Sequence, residues 1–275
     1  MSILIPKERL PKRSDERFFP KAGAFTLVEL LVVIAIIALL MSILMPALSR
    51  ARSQAKVVLD LSNLRQWGII WQMYTTDYDG YFNAGDEGTS FEWMETIHPY
   101  AKDKDLYFCP EAANPIYLWR GPRGITTSVW AWRYPSGERF VGSYGINEFC
   151  FDPPQTMSTI WGHPVSLNWR HINYKGAGNI PLMVGASWAG GAPDHSDEPP
   201  PFEGAPDEAL FVNNMKRFCL NRHDGHVNGV FLDFSARQIG LKELWKLQWH
   251  KEFDLYGGPT KQEWPDWMRR FRDYE

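Results

Sequence analysis

The sequence has little of what marks an enzyme, a nucleic-acid binder or a disulfide scaffold. Its 275 residues include only three cysteines, Cys109, Cys150 and Cys219, too few for a framework of bridges. One disulfide with a leftover thiol and three small buried side chains are both open, and spacing does not choose among the pairings. Charge of one sign is also lacking, with 29 Lys and Arg against 32 Asp and Glu. A chain without a basic excess has no general electrostatic pull on nucleic acid, so nucleic acid is not an expected partner. No tandem repeat is present. No nucleophile stands beside an ordered base, so the chain is not expected to be an enzyme. No small-residue cleavage site follows the one long apolar segment, which argues against an ordinary secretory signal.

That apolar segment is the most informative feature present. Residues 25–45 read FTLVELLVVIAIIALLMSILM, with Glu29 as the one charge. A helix of roughly 20 apolar residues matches the ~30 Å hydrocarbon layer of a bilayer. A carboxylate near its start costs a few kcal/mol in lipid, so Glu29 requires a partner or a function. Upstream, Lys7, Arg9, Lys12, Arg13, Arg17 and Lys21 outnumber Glu8, Asp15 and Glu16. The positive-inside rule therefore places the N-terminal side in the cytoplasm, although Arg50, Arg52 and Lys56 on the other flank weaken it.

The run Lys21-Ala22-Gly23-Ala24-Phe25-Thr26-Leu27-Val28-Glu29 resembles the processing motif of type IV prepilins and type II secretion pseudopilins. The resemblance implies cleavage by a prepilin peptidase between Ala24 and Phe25, methylation of the new N-terminus, and Glu29 as the fifth mature residue. Pro46 falls where the helix of that family often kinks. The family usually has Gly immediately before the cut, and here Gly23 stands one place early. Loss of the leader, residues 1–24, leaves 23 basic residues against 29 acidic ones. The new α-amine and Glu29 would each be costly alone in an apolar bundle, and pairing between neighbouring subunits offsets much of that cost. The implied partners are the peptidase/methyltransferase, other pilin-like subunits and an inner-membrane assembly platform. The implied location is the bacterial inner membrane, with the body extracytoplasmic.

Beyond Pro46, the residues Leu48, Ala51, Ala55, Val58/Leu59, Ser62, Gln66, Ile69/Ile70 and Met73 recur at spacings of three and four. They predict an amphipathic continuation over residues 46–78, with Arg50, Arg52, Gln54, Lys56, Asp60, Asn63 and Arg65 on the solvated side. Asp79-Gly80 marks its stop. Residues 79–275 then form a globular domain. Residues 106–109, 142–147, 180–185, 227–234 and 236–239 read as strands, 190–206 as a long surface loop, and 241–249 as a helix. The expected fold is α+β and pilin-like, a long N-terminal helix packed on a small antiparallel sheet with irregular insertions.

A second resemblance covers Asn221-Arg222-His223-Asp224-Gly225-His226 through Asp233-Phe234. It is similar to the C-terminal element of planctomycete-type prepilin-like proteins, in which a His is followed, nine residues on, by Asp-Gly. His223 and Asp233 keep the spacing, and Phe234 replaces the Gly. Two readings compete for the pair. In one, His223 bonds across the sheet and Asp233 anchors a turn. In the other, His223, His226 and Asp233, with Asp224 as a further candidate ligand, bind a metal, although the odd spacing puts the two imidazoles on opposite strand faces.

Asp77 and Asp79, and separately Asp194, His195, Asp197 and Glu198, are acidic groupings that suit calcium, but neither forms a calcium-hand loop. Trp130, Trp132, Trp161, Trp169 and Trp188 suit either sugar stacking or core packing, with packing favoured. The expected function is a structural filament subunit. The alternative is an exported carbohydrate- or ligand-binding module anchored by the pilin helix.

Overall fold

The computed structural model describes residues 26–85, 92–112, 114–115, 125–133, 139–205 and 212–274. It divides into two units, Met1–Ser49 and Arg50–Glu275. One helix, α1 (Leu27–Asp77), contributes to both and contains Pro46. Its first part is a run of exposed apolar side chains from Leu27 to Met45, long and apolar enough to cross a membrane. At the other end Gly80 N donates to Thr75 O at 2.7 Å, and Asp79 and Gly80 take positive φ, so the Asp79-Gly80 pair stops the helix as expected.

The second unit is built on a five-stranded sheet. In chain order its strands are β1 (Tyr144–Asn147), β2 (Pro181–Gly185), β3 (Gly190–Gly191), β4 (His226–Phe231) and β5 (Ala236–Gly240). The spatial order is β5-β4-β2-β1-β3. All pairings are antiparallel except β1 with β3. The architecture is α+β, a long helix on a mixed, mainly antiparallel sheet.

Alternation along β4 explains how the sheet faces both ways. Val230 joins the core that holds Leu64, Trp67, Trp71 and Tyr74 of α1, while Val227 and Phe231 join a second core with Phe218, Trp245, Trp249 and Met268. Tyr144 and Ile146 of β1 also face the helix. A bulge between Pro181 and Met183 puts Met183 under the helix, where Trp71 Nε1 donates to its Sδ at 3.0 Å.

The buried side of α1 differs from the expected stripe. Asp60, Leu64, Trp67, Gly68, Ile70, Trp71, Tyr74 and Thr75 are buried, whereas Leu48, Val58, Leu59, Ile69 and Met73 are each more than half exposed. The aromatic rings decide the face: Trp67, Trp71 and Tyr74 interlock edge-on with Tyr107, Trp93 and one another, and such rings bury ~150–250 Å² each.

Several local expectations are also corrected. Residues 104–107 form a 3₁₀ turn rather than a strand at 106–109, because Asp103 caps it. That segment instead serves the helix through its carbonyls, with Trp67 Nε1 donating to Leu106 O and Asn63 Nδ2 to Phe108 O. The helix expected at 241–249 is a 3₁₀ segment, Leu241–Lys246; Trp245 within it and Trp249 beyond it are both buried. The loop at 190–206 is not wholly superficial, since it begins with β3 and buries Ala192. Trp130, Trp169 and Trp188 are buried and Trp161 packs on Phe151, so these four serve packing. The Trp132 side chain lies outside the described residues.

Candidate functional site

The expected cleavage residues Gly23, Ala24 and Phe25 lie outside the described residues, and the first candidate site residue in view is Glu29. Thr26 N and Oγ1 donate to Glu29 Oε2 at 2.8 and 2.7 Å, and Glu29 N donates back to Thr26 Oγ1 at 3.2 Å. This reciprocal pair is a capping box, which satisfies amides at the helix start that lack an intrahelical partner. The carboxylate thus has a partner within its own chain, and both bonds fall on one of its two oxygens.

The C-terminal element docks against α1 at two places. At its first end, the Asp224-Gly225 turn has positive φ at both residues, and His223 N donates to His226 O. This tight reversal leaves the His223 side chain buried, with Nε2 2.9 Å from Asp60 Oδ2. Asp60 Oδ2 also accepts from Asn228 Nδ2 at 2.7 Å, and Oδ1 accepts from the Tyr144 hydroxyl. Asn228 shares the helix-facing side of β4 with Val230, so strand periodicity delivers it to the carboxylate. Burial pushes the Asp60 carboxyl up, but the bonds from His223 and Tyr144 outweigh that and hold it below its ordinary value.

At its other end, Asp233 Oδ1 accepts from Ser235 N and Oγ at 3.0 and 2.6 Å and fixes the β4–β5 turn. Phe234 occupies the left-handed region at φ 63°, which costs a residue with a Cβ roughly 1–2 kcal/mol. Phe234 thus holds a backbone conformation that a glycine would adopt without that cost. The turn meets α1 at Gly68, where an added Cβ would lie 2.7 Å from Phe234 O and 3.2 Å from Val230 Cγ2. Asp60 and Gly68 are about 12 Å apart along the helix by its rise. The nine-residue spacing thus gives the element a contact with the helix at each end of β4.

The metal set His223, His226 and Asp233 does not form. His226 Nδ1 faces Asp224 O, and Asp233 sits beyond the far end of a six-residue strand. His223 and Asp233 play the two structural parts of the first reading, except that His223 bonds to the helix rather than across the sheet. Asp77 Oδ2 accepts from Tyr100 Oη at 2.7 Å, and the Asp79 carbonyl oxygen lies 3.1 Å from His171 Nε2. Among the described residues, the groupings of three possible ligands are Asp60/Cys109/His223 and Asp194/His195/His250.

Asp60 and Cys109 were not anticipated. Aliphatic spacing alone puts Asp60 on the solvated side, yet it lies four residues before Leu64 on the buried aromatic stripe. Cys109 Sγ is 3.6 Å from His223 Nε2, the same nitrogen that meets Asp60. A nucleophilic relay needs thiol and carboxylate on different ring nitrogens. Burial and the Asp60 charge also push the Cys109 thiol up to about 12, away from the thiolate that attack requires. Cys109, Cys150 and Cys219 are all free and buried. Beside this group, the buried Arg222 guanidinium donates to Thr126 O, Ser143 O and Ala186 O, tying the turn to three neighbouring segments.

Residues 20–45 match the family model of the prokaryotic N-terminal methylation motif. That match is consistent with a type IV prepilin-like protein. The motif implies processing by a prepilin peptidase and assembly with other pilin-like subunits, and the apolar helix fits the membrane anchor of such a protein. The match ends at Met45 and does not reach the C-terminal element. No curated protein and no solved structure matches the chain.

Proposed function

We propose that this prepilin-like chain is a non-catalytic structural subunit of a type II secretion pseudopilus or a related type IV pilus-like filament. In this reading the peptidase cuts between Ala24 and Phe25 on the cytoplasmic side, and the body is extracytoplasmic. Subunits enter the filament from the inner membrane through an assembly platform. The observation that carries the proposal is the methylation motif at the head of a 51-residue helix. Two others support it. Val58, Leu59, Ile69 and Met73 remain exposed on the part of α1 that belongs to the body, as a helix packing among its copies requires. Asp60 and Gly68, with His223 and Phe234 against them, fasten that part of the helix to its sheet, so a pull on the helix is transmitted to the body.

Glu29 has a defined task here. Thr26 engages one carboxylate oxygen, and the amine of a neighbour's Phe25 pairs with the other as the subunits stack. The test is Glu29→Leu with crosslinking through residues 25–45 in the native host. The variant should insert in the membrane in normal amount and give less than about a tenth of the wild-type crosslinked ladder, the loss of about 1.4 kcal/mol or more of association energy. A normal ladder would refute the pairing.

A further inference from the structure

Outside the helix-docking element, three side chains converge on one point. The ligand-capable atoms of Asp194, His195 and His250 all lie within 4.8 Å of one another. His250 Nε2 is 3.2 Å from Asp194 Oδ2, and His195 Nδ1 is 3.5 Å from Asp194 Oδ1. In a tetrahedral zinc site with Zn–N and Zn–O bonds of about 2.0–2.1 Å, neighbouring ligand atoms stand about 3.3–3.4 Å apart. The two separations, each to a different oxygen of the Asp194 carboxylate, lie close to that value, so a small turn of the carboxylate brings one oxygen to the ion.

Further observations favour an ion over a simple ion pair. His195 Nδ1 is shut off from solvent and has no hydrogen-bond partner, a costly arrangement for a buried nitrogen. The Asp194 carboxylate is held in place by Ser196 N and Oγ, which donate to Oδ1 at 3.0 and 2.6 Å, as outer groups orient a metal-ligating carboxylate. The His250 ring is fixed against Phe149 and Phe253. His163 packs on the same Phe149 ring and interacts electrostatically with Asp194 and His250. A surface groove lined by His195, Ser196, Gly257 and Pro259 gives an ion a way in.

We propose that Asp194, His195 and His250 bind one transition-metal dication of the zinc type, with water in the fourth position. The donor set selects this class. Two imidazole nitrogens and one carboxylate suit zinc or its neighbours, whereas calcium needs six to eight oxygens. The Asp197 carboxylate is not among the converging ligand atoms, and its Oδ2 accepts from Asp194 N and Met215 N. On loading, Nε2 of His250 gives its lone pair to the metal and the ring proton moves to Nδ1. That nitrogen now lies 3.3 Å from the Glu252 amide, and this long contact is exchanged for the metal bond. The ion would tie the 194–197 turn to the segment around His250.

The test uses the full-length, untagged chain in detergent, titrated with Co²⁺ and then with Zn²⁺ in competition. The expected result is one saturable site per chain with tetrahedral visible bands and no thiolate-to-cobalt charge-transfer band. Zinc should displace the cobalt, and calcium in excess should not. Asp194→Asn and the partly exposed His195→Gln should each weaken binding by more than about tenfold, with His195→Gln keeping the wild-type near-ultraviolet spectrum. Absence of a saturable site, unchanged affinity in His195→Gln, or displacement by calcium would overturn the proposal. So would a charge-transfer band that disappears in Cys109→Ser, because it would place the ion at Asp60, Cys109 and His223.

Discussion

Replacing Asp60 tests whether the helix is fastened to its sheet by a buried carboxylate. In Asp60→Ala, Tyr144, Asn228 and His223 lose a shared acceptor. Each buried group left unsatisfied costs about 1–3 kcal/mol, while removing a buried charge returns several kcal/mol of desolvation. The net expectation is a loss of about 3 kcal/mol, the lower end for breaking a buried charged pair. For a body of this size that is a fall in Tm of roughly 6–12 °C. Asp60→Asn should be milder, at about 1–2 kcal/mol. Its oxygen still accepts from Tyr144, and its amide can donate to Asn228 Oδ1, which has no partner in the wild-type arrangement. The assay is near-ultraviolet circular dichroism of full-length protein during thermal unfolding.

Acid gives a second readout of the same group. The folded state holds the Asp60 carboxyl below its unfolded value. Its contribution is therefore complete above the unfolded pKa of about 3.9 and is lost as pH falls through the folded value. Wild type should lose stability below about pH 4 more steeply than Asp60→Asn. Equal stability of Asp60→Ala and wild type, within about 0.5 kcal/mol, would refute the reasoning.

Other outcomes follow from the same contacts. Gly68→Ala gains up to about 1 kcal/mol of helix propensity but meets a backbone oxygen at 2.7 Å. Overpacking of that kind costs about 1–3 kcal/mol, so thermal unfolding should show net destabilisation, and a raised Tm would contradict the close approach. The three buried thiols should resist maleimide at pH 8 in the folded protein and all react in denaturant, because burial pushes each thiol up; fast labelling of native protein would contradict their placement. Polysaccharides should leave tryptophan emission unchanged, since Trp130, Trp169 and Trp188 are buried, and a saturable shift would favour the carbohydrate-binding alternative.

How much was legible in the sequence depended on the kind of signal. The membrane-length helix, its Asp79-Gly80 stop and the hairpin at 226–240 were readable because apolar runs, turn residues and strand alternation are local. The buried face of α1 was not. Val58, Leu59, Ile69 and Met73 form an apolar stripe that the body leaves uncovered, and spacing alone cannot distinguish a side chain kept for a neighbour from one in the core. The rings of Trp67, Trp71 and Tyr74 were the better signal, and following them back by four residues from Leu64 leads to Asp60. His223 was singled out from its motif, but its partners are 163 residues away at Asp60 and 114 away at Cys109, and no local pattern announces such contacts. His250 was missed for the same reason, since its link to Asp194 spans 56 residues.

The central claim is that the chain is trimmed and methylated before it assembles. Intact mass and N-terminal sequencing of protein taken from its native membrane test this directly. The account predicts a mature chain that begins at N-methylated Phe25. Protein that retains Met1, or begins at an unmethylated residue within the apolar run, would contradict it.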